Sequence, residues 1–307
     1  MKPFPKDRMP LGFKEKIDLP IAHPFRMLRW NGNFQNLEIL SNAKEAVKVE
    51  SVGNDWHYHR EIQLTLFTQG KGTRFVGNNI ASFNHADLVL VGENLPHYWR
   101  TDGESAGLSM QWYFPASHPL WTFSETANLV QCFREAALGI RFTGRTAHRI
   151  ADQLHAFADA EDLARLGILL EIFSSLSTAP AEDRRQLSTR KFVLPAESRH
   201  LGAMQSAVQF LLAHFREDVR LNEVLEVTCM SKPTFSRVFK AHTGKTMLEF
   251  LQHIRLDAVC RELVETDKPI IEIAFNNGFS QTSYFNRLFR RTLKCSPSAY
   301  RILKRSS

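Results

Sequence analysis

The chain has 307 residues, 43% of them hydrophobic, which indicates a folded, soluble protein with room for two domains. Its formal net charge is +7, and the excess is placed unevenly. Residues 200–307 carry 16 Lys and Arg against 10 Asp and Glu, whereas residues 1–199 carry 23 against 22. We therefore expect the carboxy-terminal part to meet a polyanion. No apolar run is long enough to span a membrane and no apolar signal segment opens the chain, so we expect a cytoplasmic protein.

The four cysteines are expected to be reduced structural thiols. They are Cys132, Cys229, Cys260 and Cys295. None forms a CxxC pair, and no histidine spacing around them suggests a zinc knuckle. This pattern fits a reducing compartment.

Short β-rich runs separated by glycines fill residues 56–114. The runs over 63–68, 87–91 and 108–114 have the length of strands. The glycines that punctuate this region are Gly70, Gly72, Gly77, Gly92 and Gly107. Such a pattern predicts a barrel or a sandwich, to which residues 34–52 could add strands.

From Pro115 the pattern changes to helix, with helices predicted over 124–138, 146–157 and 160–176. The third helix carries apolar side chains at helical spacing, namely Leu163, Leu166, Leu169, Leu170 and Phe173. Such a stripe usually packs on its own domain, and a dimer face is the alternative. Residues 177–199 mix prolines with charges, a composition typical of a linker.

The rest of the chain is predicted to be helical, and one pattern in it occurs twice. FSRVFK at 235–240 returns fifty positions later as FNRLFR at 285–290. The two phenylalanines of each copy are four positions apart, so they share one helix face and go to the core, whereas the arginine between them points outward. In the shorter helices before them the offset between the copies is forty-nine. Each copy is therefore predicted to be a helix-turn-helix unit that meets DNA.

These residues resemble the AraC family of transcription regulators over about the last hundred residues. The most specific piece is IIEIAFNNGFSQTSYFNRLFR at 270–290, followed by Ser-Pro at 296–297 and Tyr-Arg at 300–301. The long helix predicted over 247–264 resembles the linker that, in the family, places two heads in successive major grooves. The resemblance implies a dimeric activator with a double-stranded DNA operator and RNA polymerase as partners, although the residues themselves do not separate activation from repression.

Three positions depart from the family pattern. Leu225 and Cys229 stand where the family usually has a small Ala and a turn Gly, which the second copy keeps as Ala274 and Gly278. Lys294 stands where the family usually has Gly. Because small residues allow close helix approach and glycine permits positive φ, we expect a well-formed second head and a looser or differently docked first head.

The resemblance assigns DNA contacts residue by residue. The base-edge contacts of the first head are expected from Lys232, Pro233, Ser236 and Arg237. Those of the second head are expected from Gln281, Thr282, Ser283, Asn286 and Arg287. Phosphate contacts are expected from Lys240, Arg290 and Arg291. The alternative for the two central arginines is that they only form salt bridges with neighbouring helices.

GNDWHYHREIQ at 53–63 is the other marked passage, joined by Pro-His at 96–97. If 57–63 is a strand, His57, His59, Glu61 and Gln63 point into the same space. The passage resembles the first motif of the cupin barrel, and 87–97 is similar to the second. The resemblance implies a cupin-like barrel in the amino-terminal part.

Metal-binding cupins use the histidine pair, a glutamate four residues after its second member, and the later histidine. Here that glutamate position holds Gln63, a neutral and weaker ligand, and Glu61 is one pleat short of it. We therefore expect no metal cofactor, although His57, His59, Gln63 and His97 could hold one. Histidines that are merely hydrogen-bonded in the core are the remaining alternative.

An effector pocket needs an apolar wall and a few polar groups. Trp56, Trp99, Trp112 and Phe114 could supply the wall. The residues expected to bind the effector are His57, His59, Glu61, Gln63, Arg74, His97 and Trp99. In the AraC family similar amino-terminal barrels sense small molecules, often carbohydrates, and neighbouring helices mediate dimerisation.

The expected fold is an α+β multidomain one. A cupin-like β-barrel with flanking helices would occupy 1–176, a linker 177–199, and an all-α domain with two helix-turn-helix motifs 200–307. The expected function is a sequence-specific DNA-binding regulator that senses a small molecule, with carbohydrates among the candidates. The alternatives are a metal-dependent cupin isomerase or dioxygenase fused to a DNA-binding domain, which bound metal would favour, and an architectural DNA binder that senses nothing.

Overall fold

The computed structural model describes residues 24–32, 36–42, 45–50, 55–194 and 200–305. Eleven strands lie in the amino-terminal part of these residues. They are β1 (Phe25–Gly32), β2 (Asn36–Asn42), β3 (Glu45–Glu50), β4 (Ile62–Gln69), β5 (Gly72–Val76), β6 (Asn79–Phe83), β7 (Asp87–Val91), β8 (His97–Thr101), β9 (Ser105–Trp112), β10 (Ile140–Phe142) and β11 (Arg184–Gln186). Glycine-punctuated runs thus form strands as predicted, and β2 and β3 fall within the predicted 34–52 stretch, parts of which lie outside the described residues.

The strands form two antiparallel sheets. The larger has the order β11-β10-β7-β4-β9-β1-β2-β3, and the smaller has the order β6-β5-β8. The central strands β4 and β7 are buried along almost their whole length because both of their faces are covered. Within the described residues the larger sheet is open at β3 and β11, so the sheet-rich domain is confirmed while its hydrogen bonding does not close into a barrel.

Three helices cover the larger sheet, namely α1 (Ala127–Glu135), α2 (Gly144–Asp159) and α3 (Asp162–Ser177). The predicted leucine stripe of α3 divides between two faces. Its Leu169 and Phe173 are buried in the core, whereas Leu163 is 78% exposed, Leu166 44% and Leu170 48%. Only part of the stripe therefore packs on its own domain.

Part of the segment predicted to be a linker belongs to the sheet. β11 pairs with β10, and the chain continues with hydrogen bonds from Leu187 N to Gly139 O at 3.0 Å and from Ser188 N to Leu138 O at 2.7 Å. A short, charged strand is tolerated at a sheet edge, which explains why its composition looked like a linker. Residues 195–199 lie outside the described residues, and the domain boundaries stay predictions.

The carboxy-terminal part is helical. Its helices are α4 (Leu201–His214), α5 (Leu221–Thr228), α6 (Lys232–Thr243), α7 (Met247–Glu265), α8 (Ile270–Asn276), α9 (Thr282–Leu293) and α10 (Pro297–Arg305). The pair α5–α6 and the pair α8–α9 are the two predicted helix-turn-helix units, here called the first and second head, and α7 joins them. A capping box begins α7, since Thr246 N donates to Glu249 Oε2 at 2.8 Å and Glu249 N to Thr246 Oγ1.

The sequence also led to expectations for the cysteines and for membrane-spanning segments. The four cysteines are free thiols. None of the described helices combines the length and apolarity that crossing a membrane would require.

Candidate DNA interface and sensor site

The first head presents one apolar and one polar face. Phe235 and Phe239 of α6 are buried with ring centroids 5.2 Å apart, and Phe239 packs edge-on against Phe250 of α7 at 5.5 Å. Arg237, between the two phenylalanines, is exposed. The i, i+4 spacing therefore places the arginine on the outer face, as predicted.

The second head repeats this arrangement. Phe285 and Phe289 of α9 are fully buried with centroids 5.6 Å apart, and Phe289 packs against Tyr300 of α10 at 5.8 Å. Arg287 is exposed, and its guanidinium carbon lies 5.9 Å from the centre of the Tyr284 ring. A ring beneath the guanidinium favours one orientation of this side chain.

The predicted DNA contacts lie on the open faces of the two heads. Half-buried members are Thr282 and Asn286. The exposed members are Lys232, Pro233, Ser236, Arg237, Lys240, Gln281, Ser283, Arg287, Arg290 and Arg291. Among the described residues neither Arg237 nor Arg287 forms an ion pair, so the salt-bridge alternative finds no support in this part of the chain.

The turns of the two heads share a left-handed conformation. Cys229 has φ 51° and Gly278 has φ 83°. The ends of α6 and α9 match in the same way, with Gly244 at φ 70° and Lys294 at φ 61°. Each copy therefore has one glycine and one non-glycine at its two positive-φ positions. A residue with a Cβ is destabilised by roughly 1–2 kcal/mol in this conformation. Cys229 and Lys294 therefore keep the turn geometry and add backbone strain.

The first head is docked on the sheet domain. The Phe250 ring lies 6.1 Å from Trp56 and 5.9 Å from Phe75 of β5. A Cβ on Gly244 would come within 2.7 Å of the Asn78 Cβ, so the end of α6 touches the turn after β5. The core of the second head consists of residues from α7 to α10. The first head is thus packed against the sheet domain, whereas the core of the second head lies within the helical part. The sequence predicted unequal heads for another reason, namely Leu225 and Cys229 in the first copy.

Three buried histidines lie together in the sheet domain. His57 and His97 form an isolated antiparallel bridge, and ligand nitrogens of His57, His59 and His97 all lie within 4.8 Å of one another. Each Nδ1 lies near a backbone carbonyl oxygen, at 2.7, 2.9 and 2.8 Å respectively. Since a carbonyl only accepts, each Nδ1 carries a proton, and in a neutral His57 or His97 ring Nε2 keeps its lone pair. The Nε2 of His59 instead faces the amide oxygen of Gln63, which also only accepts. Burial and the two neighbouring imidazoles lower the pKa of His97 well below its usual value.

The donor set of this histidine cluster fits a divalent metal ion. His97 Nε2 is buried and has no hydrogen-bond partner among the described residues. Gln63 Oε1 lies 3.1 Å from His59 Nε2 and accepts from Gln111 Nε2 at 2.6 Å. Imidazoles anchored through Nδ1, with Nε2 atoms converging, are typical of metal ligands. Gln63 is close enough to join them, but as an amide it is the weaker ligand that the sequence indicated.

Residues 57–63 do not form one continuous strand, so the alternation of a strand does not orient their side chains. β4 begins only at Ile62, and 57–61 is irregular apart from the single bridge. The Glu61 carboxylate accepts from Arg60 Nε at 3.1 Å and lies 3.6 Å from His59 Nδ1. It therefore lies nearest the Nδ1 side of that ring, and it does not belong to the group of three ligand nitrogens. The histidines are therefore positioned by one bridge between His57 and the first residue of β8, and not by a regular strand pairing.

The two remaining predicted effector residues have different surroundings. The Trp99 ring lies 5.6 Å from that of His97, so Trp99 belongs with the histidines. Arg74 faces Trp99 across the β5–β8 pair, but its Nη1 donates to both oxygens of Asp87 at 2.5 Å each. The charge of Arg74 is therefore paired inside the domain.

An open cavity of about 670 Å³ lies beside the end of β9. Its aromatic lining consists of Trp112, Tyr113, Phe114, Trp121, Phe133 and Phe192. The sequence pointed to Trp112 and Phe114 and missed the other four. Two of the missed residues, Trp121 and Phe133, lie in a region that was interpreted only as helix. Glu93 and Arg134 add one charge of each sign to the wall. The pKa of Glu93 is raised, mainly by burial and further by the nearby Glu61 carboxylate. The volume is in the range of small-molecule sites.

Comparison with known proteins places the carboxy-terminal part. Residues 224–302 match a family model described as a helix-turn-helix domain. The regulatory protein PocR of Salmonella typhimurium is 31% identical over 140 residues, 46% of each chain. The HTH-type transcriptional activator RhaS of Enterobacter is 34% identical over 98 residues, 32% of this chain and 35% of RhaS. The C-terminal domain of AraT, a response regulator from Geobacillus stearothermophilus, is 31% identical, with 34% and 88% of the two chains covered and a TM-score of 0.33.

Two short helices, each followed by a left-handed turn and a helix with an exposed arginine, define the carboxy-terminal part as a double helix-turn-helix domain. The family match covers almost all of both copies. This domain is of the AraC type, as its sequence motifs predicted. In the matches the chain spans less than half the length of the two curated relatives.

Proposed function

We propose that the protein is a sequence-specific DNA-binding transcription regulator that acts in the cytoplasm and senses a small molecule. The observation that carries the proposal is the pair of exposed arginine-bearing helices, α6 and α9, each held by a buried phenylalanine pair and free of ion pairs at its central arginine among the described residues. Two equivalent helices whose exposed arginines form no ion pair among the described residues suit contact with two segments of one DNA duplex.

In the proposed complex the two heads divide the work of binding. Arg237 and Arg287 would reach base edges in the major groove, because a guanidinium can donate two hydrogen bonds to a guanine. Lys240, Arg290 and Arg291 lie near the carboxy-terminal ends of the same helices and would neutralise phosphates, which supplies affinity without sequence information. α7 would fix the spacing of the heads, since one 19-residue helix contributes to the cores of both.

The aromatic cavity beside β9 is the proposed effector site. Its rings offer flat apolar surface, and the Glu93 and Arg134 side chains offer one acceptor and one donor to a polar ligand. This combination suits a carbohydrate or an aromatic compound. The buried histidine cluster is the second candidate for effector binding. A population shift between domain arrangements would carry the signal to the heads.

A second copy of the chain is a proposed partner. The exposed Leu163, Leu166 and Leu170 lie three and four positions apart on α3 and form an apolar stripe that the sheet domain leaves uncovered. Burying such a stripe against its symmetry mate is favourable. RNA polymerase is the partner through which a bound regulator of this type would act on transcription.

Selection from a random double-stranded DNA library tests the proposed function. The full-length protein is expected to enrich a motif with two conserved blocks about ten base pairs apart, because two heads joined by one helix face successive turns of a groove. Affinity for this motif is expected to fall steeply with salt and to exceed affinity for a scrambled duplex. An enriched pool without a shared motif would favour the architectural binder and contradict the proposal.

The histidine cluster supports a metal-dependent cupin function as a second candidate. The observation that favours it is the buried Nε2 of His97, which has no hydrogen-bond partner within the described part of the chain, while the Nδ1 of the same ring is held by the Leu95 carbonyl oxygen. His57, His59 and His97 would hold the ion, with Gln63 at the fourth position, and the ion would supply Lewis acidity. The chain's own contribution would be to fix the imidazole orientations through the backbone carbonyls.

Metal analysis of the full-length protein separates these functions. Under the second candidate, protein from metal-replete medium carries about one equivalent of a divalent metal, because three converging imidazoles retain it through purification. His97→Ala is then expected to lose the metal, whereas His85→Ala, at an exposed position, retains it. A content below about a tenth of an equivalent in the unmodified protein contradicts the metal-dependent function and leaves the effector sensor.

A further inference from the structure

The sheet domain and α7 are joined by a buried carboxylate. Asp257 is 8% exposed and accepts from Thr73 Oγ1 at 2.7 Å and from Ser82 Oγ at 2.5 Å. Burial raises the pKa of Asp257. Because both hydroxyl donors come from the smaller sheet, this contact fixes the distance between the sheet and the helix that joins the heads.

A cavity of about 330 Å³ lies beside this contact, between the two domains. One wall comes from the sheet domain, including Arg74, Ser82, Arg141 and Arg185. The other wall comes from the helical domain, including His253, Asp257, Tyr300 and Lys304. A molecule in this cavity would touch both domains at once.

The walls are rich in positive charge. Among the described residues that line the cavity, Arg74, Arg141, Arg185 and Lys304 are cationic, and Asp257 is the one carboxylate. Arg185 and Lys304 are exposed and form no ion pair within the described part of the chain. Cations drawn from separate elements and left without counter-charges create a positive potential inside a concave surface.

The deeper cations share one counter-charge. Asp87 is buried and accepts from Arg74 Nη1 at 2.5 Å and from Arg141 Nε at 2.8 Å, so two guanidiniums face one carboxylate. The Nε of Arg74 is buried and has no hydrogen-bond partner among the described residues. Donor capacity therefore remains in a region where unsatisfied donors are costly.

We propose that this interdomain cleft binds a small anionic molecule carrying carboxylate or phosphate groups. Guanidinium and ammonium donors from two walls match the oxygens of such groups, and the volume admits a molecule of about the size of citrate. The site is separate from the aromatic cavity and from the histidine cluster. Its regulatory consequence rests on the proposed function, since a ligand that bridges the walls favours the domain arrangement described here.

Calorimetric titration of the full-length protein, without DNA, tests the site with sodium citrate and inorganic phosphate as probes. At least one probe is expected to bind saturably with a Kd below about 1 mM at an ionic strength held constant with sodium chloride. Arg185→Gln and Lys304→Gln are each expected to weaken binding at least about tenfold, because each removes a charge-assisted hydrogen bond from a different wall. The matched control is Arg149→Gln with Lys268→Gln, two exposed cations outside the cleft, which should change Kd less than about twofold.

Three results would overturn the proposal. One is that neither probe binds saturably. Another is that either Lys304→Gln or Arg185→Gln binds the probe with the same Kd as the unmodified protein, which would mean that only one wall contributes. The last is an equal loss in the control variant, which would indicate unspecific charge effects. Selection of an operator requires no anion, so failure of this site leaves the proposed DNA function standing and the reverse also holds.

Discussion

Replacing Arg237 and Arg287 together by alanine is expected to lower affinity for the selected operator at least about thirtyfold. Both side chains project from the outer faces of buried phenylalanine pairs and form no ion pair among the described residues, so truncation removes contacts with DNA and leaves the cores intact. Each lost base contact costs about 1 to 3 kcal/mol, and the two sites are far enough apart to add. Fluorescence anisotropy with the labelled operator measures the change.

The matched control for this double variant is Arg145→Ala with Arg149→Ala, two exposed arginines of α2 on the sheet domain. It removes the same charge from the chain and should leave affinity within about a factor of two, because exposed charges distant from the duplex are screened. A scrambled duplex supplies the second comparison. If the Arg237 and Arg287 variant stays within twofold of the unmodified protein on the operator, these arginines do not read bases.

Gly278→Ala is expected to destabilise the second head by about 2 to 4 kcal/mol. Gly278 has φ 83°, and a Cβ there would lie 2.7 Å from both the Phe215 carbonyl oxygen and Arg255 Nε. Those two atoms are themselves hydrogen-bonded at 2.6 Å, so neither can move aside without loss. Denaturant unfolding measures the change in free energy, and operator affinity should fall in parallel because the turn orients α9.

Gly103→Ala is the matched control for the turn variant. Gly103 also has a positive φ, 98°, but a Cβ there would meet no atom within 4 Å. The same substitution should therefore cost only the backbone strain, about 1 to 2 kcal/mol, and the excess at Gly278 measures the steric conflict. A Gly278→Ala protein that unfolds within about 0.5 kcal/mol of the unmodified one would show that this turn tolerates a side chain.

The helical domain was predictable because its signals are local. The i, i+4 phenylalanine pairs and the turn glycine each act within a few residues, so the two helix-turn-helix units form as predicted. The helix predicted over 247–264 is found as α7, Met247–Glu265. The exposed position of Arg237 and Arg287 follows from the same spacing. Cys229 keeps the left-handed turn although it is not a glycine, and it carries backbone strain there. The residue type alone had suggested a different turn.

The sheet domain was less predictable where distant residues decide the outcome. A single bridge, and no strand, joins His57 to His97, forty positions away, and alternation cannot reveal such a partner. β11 is held by β10 in the same non-local way, in a segment whose charges resemble a linker. The aromatic cavity escaped prediction because Phe133 meets both Trp112 and Trp121 only after α1 folds onto the sheet.

Contacts between the domains leave no distinct mark in the sequence. Phe75 and Phe250 are 175 positions apart and pack with centroids 5.9 Å from each other, yet each looks like an ordinary core residue of its own element. Apolar burial is non-directional, so the pattern that buries a side chain does not say against which partner. Asp257 is similar, since a single acidic residue on a helix gives no sign that it is buried under two hydroxyl groups.

The division of α7 between two cores determines how the protein opens. Its Phe250, Leu251 and Ile254 belong to the cluster that contains Trp56 and Phe75, whereas Val259 and Leu263 belong to the cluster of the second head. Cooperative unfolding units follow shared cores more closely than chain order. The sheet domain and the first head should therefore exchange their amide hydrogens in one concerted opening, while the second head opens separately. The cooperative boundary is then expected inside α7, and not in the segment 177–199 that the sequence predicted as a linker.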